Sequence, residues 1–275
     1  MQLYRSWIDF TTDMRKKNLS AFSASIAFFF FLSVVPMLIL TCTILPHTPL
    51  TENDLLEAVT EVVPGVAVPF LTSLIADIYG KSAGFMPIAV VAMLWSAAKG
   101  VMALMRGLNA VHGVEEKRNY FVIRMIATFY TFVMLVIEIL SLFVNVFGNQ
   151  LVDLILHQFP ELHGLVSFLM NFRFIVVWII LTFFFAAIFT YVPDRKLSMK
   201  QQIPGAVFAA IGWSVYSWGF SIYLNYSDRY GIYGSLSIII IVLLWMYFCM
   251  YIMLLGAYLN HYRNVKMIGK GSEAD

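Results

Sequence analysis

Residues 232–260 read IYGSLSIIIIVLLWMYFCMYIMLLGAYLN and contain no charged side chain. An α-helix needs about 20 apolar residues to cross the hydrocarbon core of a bilayer. The whole chain shares this character, because 60% of its 275 residues are hydrophobic, only 12% are charged and the mean hydropathy is +0.80. Soluble domains carry about 25% charged residues. The sequence therefore predicts an all-α integral membrane protein.

Five further stretches have a similar length and composition, which predicts six transmembrane helices. The predicted spans cover residues 21–45, 85–105, 121–147, 166–192, 203–226 and 232–260. No low-complexity tract or linker separates them, so residues 1–275 are expected to form one polytopic membrane domain.

The basic residues are distributed unevenly between the two sides of this predicted bundle. If the N-terminus is inside, the outer segments hold only Lys81, Arg173 and Arg229 of the 18 Lys and Arg residues. Lys99 falls within the second span, and the others face the cytoplasm. Cytoplasmic loops of membrane proteins are enriched in Lys and Arg. The distribution therefore predicts that both termini are cytoplasmic.

Two outer segments have the pattern of short amphipathic helices. Residues 51–79 carry apolar side chains at helical spacing on both sides of Pro64-Gly65, and residues 149–162 repeat the pattern over a shorter length. Such helices lie at the membrane interface or fold back onto the bundle. Interfacial packing and a lid over an outer cavity are the two interpretations of these segments.

Charged residues inside spans are the sharpest candidates for function, because each costs about 2.5–3.5 kcal/mol to insert on translocon scales. Glu138 lies deep in the third span, Arg173 near the outer end of the fourth, and Lys99 in the second. Counting helical rise places Glu138 and Arg173 at similar depth, so they are the better-matched pair. The alternatives are a structural ion pair, the lining of a polar cavity, and, above all for Lys99, a side chain that reaches the headgroups.

Helix breakers and small residues form a second set of features. Pro36 in the first span and Pro87 near the start of the second are expected to leave backbone carbonyls that need other partners. Gly205, Ala209 and Gly212 lie along one side of the fifth span. Small residues let helix backbones approach closely, so this side is expected to pack against another helix.

The outer turn before the last span contains Tyr230, Gly231, Tyr233 and Gly234. Its tyrosines suit the membrane interface and its glycines permit a tight turn. The turn is either an interfacial belt or a surface that faces substrate.

Catalytic and cofactor chemistry finds little support in the sequence. No nucleotide-binding, metalloprotease or nucleophile-elbow motif occurs, and the five histidines are scattered over both predicted faces. The two cysteines form neither a disulfide framework nor a thiolate metal site, and no basic cluster interleaved with aromatics suggests nucleic acid. We therefore expect no enzyme activity, no metal, no cofactor and no nucleic-acid partner.

Several blocks of sequence resemble the YihY/BrkB family of bacterial membrane proteins. They are ASIAFFFFLSVVP at 24–36, YVPDR at 191–195, IPGA at 203–206 with Trp213, YGSL at 233–236, and Leu244-Trp245 with LGAYLN at 255–260. Tyr258 stands where the family often carries Glu. The resemblance implies six spans in the bacterial cytoplasmic membrane and provides no agreed catalytic residues. Members have been labelled ribonuclease BN, a label regarded as mistaken, and others virulence factors, and links to export of envelope lipids have been suggested.

Together these observations favour a transporter-like protein that handles an amphiphilic or anionic solute such as an envelope lipid. A non-transporting scaffold for envelope assembly that binds lipid or a partner is the main alternative, and an intramembrane enzyme is the third. The expected partners are membrane lipids, a second copy of the chain or an envelope protein.

Overall fold

The computed structural model describes residues 10–44, 86–158, 173–226 and 235–271, together with single residues in the two segments between them. These single residues are Asn53, Leu56, Glu57, Thr60, Val68, Pro69, Thr72, Ser73, Glu161 and Gly164. Within this part of the chain the secondary structure is α-helix joined by short loops, without strands. The prediction of an all-α protein is confirmed.

Six long helices and one short one make up the described ranges. They are α1 (Phe10–Lys16), α2 (Leu19–Ile44), α3 (Met86–His112), α4 (Tyr120–Gln158), α5 (Arg173–Tyr191), α6 (Met199–Tyr226) and α7 (Ser235–Gly271). Every predicted span overlaps one of the long helices. Their boundaries differ most at α4 and α7, which run about three turns beyond the predicted spans.

Two described helical stretches, Met199–Leu224 and Ile239–Val265, are long and apolar enough to cross a bilayer. The pair Phe10–Lys16 and Leu19–Val34, which meet at 48°, makes a third if it is one span. The bend lies at Lys17 and Asn18, where Asn18 adopts a φ of 51°. Asparagine tolerates this left-handed conformation better than most residues. Six crossings are a prediction that these helices do not test.

The helices alternate in direction, and one end of the bundle collects their polar contacts. The Lys17 ammonium donates to the Ala110 carbonyl, the Asp194 backbone N–H donates to the Asn109 side chain, and the Tyr258 hydroxyl lies 2.9 Å from the Phe10 carbonyl. These contacts bring together α1, the start of α2, the end of α3, the α5–α6 loop and the second half of α7. We call this end the basic end, because Lys17, Lys117, Arg195, Lys200 and Arg263 lie on its loops and helix ends.

Helices α6 and α7 cross with their backbones in contact. The Gly205 N–H donates to Asn260 Oδ1 at 2.7 Å, and Asn260 Nδ2 donates to the Gln202 carbonyl at 2.8 Å. A Cβ at Gly205 would overlap the carbonyl oxygen of Gly256. The close approach expected for the small side of the fifth span is confirmed, and its partner is α7.

Two sequence expectations need correction at the backbone level. Helix α4 continues without a break through Gln158, so residues 149–158 extend α4 instead of forming a separate outer helix. Pro87 is the second residue of α3, where its missing N–H leaves no helical bond unmade, so it does not break the helix. Helix α2 also runs through Pro36, and the need for another partner at the carbonyl that this proline leaves unbonded stays a prediction. Most of residues 51–79, including the predicted outer helices, lies outside the described residues.

Candidate functional site

A pocket of about 380 Å³ lies between the basic-end halves of α2 and α3 and the first turns of α4. Its walls combine basic, aromatic and small side chains. The lining residues are Ala21, Phe22, Ser25, Phe29, Lys99, Met102, Ala103, Arg106, Tyr120 and Arg124. Lys99, Arg106 and Tyr120 are exposed, so the pocket is accessible from outside the bundle.

Helical periodicity places the basic side chains in one wall. Lys99 and Arg106 are seven residues apart on α3, which aligns them on one face about 10 Å apart along the axis. The same helix packs tightly against α2 on its neighbouring face, because a Cβ at Gly100 would lie 3.2 Å from Phe30 and one at Gly107 3.2 Å from Phe22. Glycines at these two levels therefore let α2 close one side of the pocket.

Arg124 enters the pocket from α4 and is held by three contacts. Its guanidinium donates to the Trp95 carbonyl at 3.0 Å, lies 3.5 Å from the Met102 sulfur and stacks over the Trp95 ring at 4.1 Å from the centroid. A cation over an aromatic face is stabilised by the ring quadrupole. These contacts fix where the positive charge of Arg124 sits.

Lys99 and Arg106 lack a carboxylate partner among the described side chains. The Lys99 ammonium lies 5.7 Å from the centre of the Phe29 ring, and the ion pairs of the described residues involve Arg118 instead. Three positive charges thus line one pocket. Helix α4 begins at the pocket residue Tyr120, so the positive end of its helix dipole also points there. Such an arrangement favours an anionic ligand.

The sequence singled out one of the three cations. Lys99 lines the pocket, whereas Arg106 and Arg124 were assigned to the cytoplasmic side of their spans. The seven-residue spacing between Lys99 and Arg106 could have predicted that both lie on one face of the helix. Arg124 gave no such signal, because its place beside Trp95 depends on how α4 packs against α3.

The other predicted site residues are not among the described residues that line this pocket. Glu138 lies on α4 and Arg173 begins α5, but their side chains are outside the part that the structure describes, so their pairing stays a prediction. Glu138 is fourteen residues beyond Arg124, about 21 Å along the helix. The outer turn with Tyr230, Gly231, Tyr233 and Gly234 also lies outside the described residues.

A polar network beside the pocket connects the α3–α4 and α5–α6 loops. Arg118 donates to both carboxylate oxygens of Glu116 at 2.7 Å, and Arg118 Nε lies 3.6 Å from Asp194. The bidentate contact with Arg118 lowers the pKa of Glu116, and the same contact raises the pKa of Arg118. Asn109 Nδ2 donates to Glu116 at 2.8 Å, and its Oδ1 accepts the Asp194 backbone N–H at 2.8 Å. The network fixes the loops on which α4 and α6 begin.

His112, the last residue of α3, is buried among positive charges at the basic end. It is 5% exposed, its ring lies 5.5 Å from that of His261, and its Nε2 has no hydrogen-bond partner among the described residues. Burial, followed by the repulsion of His261, Arg195 and Lys17, lowers the pKa of His112 to about 4. The side chain is therefore neutral at pH 7.

Acidification is expected to destabilise the protein through His112. Between the folded pKa of about 4 and the ordinary value of 6.5, the unfolded chain binds a proton that the folded chain does not. Stability therefore falls as pH drops below about 6.5, by about 2 kcal/mol at pH 5. Melting curves of the detergent-purified protein at pH 7.5 and 5 measure this loss. His112→Gln should remove most of it, whereas His157→Gln, an exposed position, should keep it; an unchanged pH dependence in His112→Gln would contradict the assignment.

Comparison with known proteins agrees with the resemblance seen in the sequence. The sequence profile of the family described as Virulence factor BrkB matches residues 10–274. The chain belongs to the BrkB family. It is similar to YfkH of Bacillus subtilis, whose name describes it as ribonuclease-like, with 32% identity over 86% of this chain and 87% of YfkH.

Other relatives of this BrkB-family chain match locally. A UPF0761 membrane protein of Pseudoalteromonas translucida is 38% identical over 28% of this chain and 26% of its own length. One from Xanthomonas oryzae is 39% identical over 26% of this chain and 17% of its own length. No solved structure matches the chain. The comparisons therefore assign a membrane-protein family.

Proposed function

We propose that this BrkB-family protein crosses the bacterial cytoplasmic membrane six times with both termini in the cytoplasm. Support comes from the apolar stretches of α6 and α7 and from the alternating direction of the helices. The basic end carries Lys and Arg on several loops, and such residues are enriched on the cytoplasmic side. The basic end is therefore the cytoplasmic end in this proposal.

The function that the geometry supports best is transporter-like handling of an anionic amphiphile, such as an envelope lipid. The observation that carries it is the pocket between α2, α3 and α4, with Lys99, Arg106 and Arg124 beside apolar walls. Lys99 and Arg106 lack a carboxylate partner among the described side chains, so a ligand anion would supply their counter-charge next to the bilayer. Phe22 and Phe29 offer apolar contact to the carbon atoms next to the anionic group of an amphiphile. Membrane lipid is accordingly the first partner, ahead of a second copy of the chain or an envelope protein.

We also propose that the protein is not an enzyme and does not act on nucleic acid, although YfkH is named ribonuclease-like. Metal-dependent cleavage of a phosphodiester needs carboxylates that are free to hold metal ions. In the described loops Glu116 and Asp194 instead surround Arg118, and the described residues include no cluster of three metal-ligating side chains.

A lipid-translocation assay tests the transport proposal. The full chain is reconstituted in liposomes that contain tail-labelled fluorescent phosphatidylglycerol, and dithionite added outside reduces the probe in the outer leaflet only. The protein is expected to make inner-leaflet probe reducible over minutes. The double variant Lys99→Gln/Arg106→Gln removes both of these cations, so the phosphate of the probe loses its charge-assisted contact, which is worth about tenfold in affinity, and this step should slow about tenfold.

The matched control for the double variant is Lys117→Gln/Lys200→Gln, which removes the same charge from exposed positions outside the pocket and should behave as the parent. If the inner-leaflet probe stays protected from dithionite in liposomes that contain the wild-type protein, with or without an imposed pH gradient, translocation is excluded. A lipid-binding scaffold would then be the function to test.

A further inference from the structure

Lys99 and Arg106, the pocket cations without a carboxylate partner among the described residues, lie at opposite ends of the pocket. The packing of Gly100 on Phe30 and of Gly107 on Phe22 shows that α2 and α3 run antiparallel through the pocket. Lys99 is therefore level with Phe29, over whose ring its ammonium lies, and Arg106 is level with Phe22. The two levels are about two helical turns, or about 10 Å, apart.

The third cation is already committed to the protein. The guanidinium of Arg124 donates to the Trp95 carbonyl and is stacked on the Trp95 ring. The charge of Arg124 still attracts an anion, but the N–H group that faces Trp95 is already hydrogen-bonded to the Trp95 carbonyl. Among the described residues no hydrogen bond uses the donors of Lys99 or Arg106, whereas Arg124 is held by Trp95 and Met102 and acts as a positioning residue in the wall between α3 and α4.

The volume of the pocket limits what part of a ligand can enter. Water occupies about 30 Å³ per molecule in the liquid, so 380 Å³ holds about a dozen non-hydrogen atoms. Two phosphate groups joined by a three-carbon bridge have about that many atoms, whereas acyl chains would not fit beside them. Exposed apolar side chains lie next to the pocket on α2 and α4, namely Phe28, Leu32, Phe121 and Met125.

We propose that the pocket binds the headgroup of a dianionic lipid that carries two phosphates joined by a short bridge, one phosphate at Lys99 and the other at Arg106. The acyl chains stay in the bilayer against Phe28, Leu32, Phe121 and Met125. Basic pockets between transmembrane helices on the cytoplasmic side are suited to such headgroups. This inference rests on the pocket being the anion site of the proposed function, and it names the class of lipid.

A displacement titration tests the preference for two phosphates. The detergent-purified full chain is saturated with tail-labelled phosphatidylglycerol, which is then displaced by unlabelled cardiolipin, phosphatidylglycerol or phosphatidylcholine. Cardiolipin, with two bridged phosphates, should displace the tracer at least tenfold more effectively than phosphatidylglycerol, because it adds one charge-assisted contact. Phosphatidylcholine should displace it least.

Variants locate the two phosphates. Lys99→Gln and Arg106→Gln should each reduce the advantage of cardiolipin over phosphatidylglycerol to about twofold or less, because one contact is lost. Arg106→Lys keeps the positive charge and should retain most of the cardiolipin advantage. Lys200→Gln, outside the pocket, should leave that advantage unchanged. Melting curves establish that each variant is folded.

Three results would overturn the inference. The first is equal displacement by cardiolipin and phosphatidylglycerol in the wild-type protein, and the second is an unchanged cardiolipin advantage in both single variants. The third is displacement by water-soluble glycerol 1,3-bisphosphate at the same concentrations as cardiolipin, which would make this a site for a soluble anion. Translocation without a cardiolipin preference would leave the proposed function standing, and a preference without translocation would leave this inference standing.

Discussion

Gly205→Ala is expected to lower the free energy of unfolding by about 4 kcal/mol, the largest loss that we expect from a single added methyl group. The new Cβ would overlap the backbone carbonyl of Gly256, so α6 and α7 would have to move apart. That movement also breaks the contact in which the Gly205 N–H donates to Asn260 Oδ1. A loss of this size corresponds to a decrease of about 10 °C in the melting temperature of the detergent-purified protein.

Gly219→Ala is the matched control for this substitution, because it adds the same methyl group to the same helix. No atom lies within 4 Å of a Cβ built at Gly219. Alanine forms helix better than glycine by up to about 1 kcal/mol, so this variant should melt at or above the parent temperature. Equal melting temperatures for the two variants would mean that the α6–α7 crossing is looser than the structure shows.

The glycine crossing shows what local sequence can predict. A small face on the fifth span was visible, because Gly205, Ala209 and Gly212 recur at helical spacing. The partner was not visible, because Gly256 and Asn260 belong to another helix and their contact depends on packing over about fifty residues of sequence separation. Sequence thus predicted that a close approach exists, and the structure identified its two sides.

The candidate site was predicted less completely than the helices. Apolar runs located all six long helices, since hydrophobic length is a local property. The pocket depends on three helices meeting, and its cations differ in how they could be found. Lys99 stood out because it interrupts an apolar run, whereas Arg106 and Arg124 looked like ordinary basic residues near helix ends. Arg124 reaches Trp95, more than four turns before the end of α3, and no local pattern predicts that contact.

The contact of Arg124 also explains why the loop network matters for the pocket. Residues between α3 and α4 must place the start of α4 beside the middle of α3, since Tyr120 and Arg124 both line the pocket. Asn109 holds this loop through Glu116 and holds the α5–α6 loop through the Asp194 backbone. The YVPDR block that carries part of the family resemblance is thereby attached to the pocket wall.

Asn109→Asp is expected to destabilise this junction by about 3 kcal/mol at pH 7. Asn109 is 3% exposed, and its Nδ2 donates to a Glu116 carboxylate oxygen at 2.8 Å. Aspartate has the same shape and keeps the acceptor for the Asp194 N–H, but it places a second carboxylate against Glu116. Two carboxylates this close cannot both ionise without strong repulsion, so the pKa of the pair rises. The deficit relative to the parent is therefore present at pH 7 and shrinks as pH falls through that raised pKa.

The control for Asn109→Asp is Asn119→Asp, which adds the same negative charge to the neighbouring α3–α4 loop. Asn119 is exposed and its side chain accepts the Phe121 N–H at the start of α4, a position where aspartate serves equally well and favours the helix dipole. This variant should stay within about 0.5 kcal/mol of the parent at every pH. Melting curves of parent and both variants at pH 5, 6 and 7 separate the two cases, because only repulsion at Glu116 predicts a deficit that acid relieves. If Asn109→Asp loses the same stability at all three pH values, the lost hydrogen bond alone is responsible, and the carboxylate of Glu116 does not lie where the structure has it. Loss of the contact between Asn109 and Glu116 should also weaken lipid binding, since α4, which carries Arg124 into the pocket wall, begins at the α3–α4 loop.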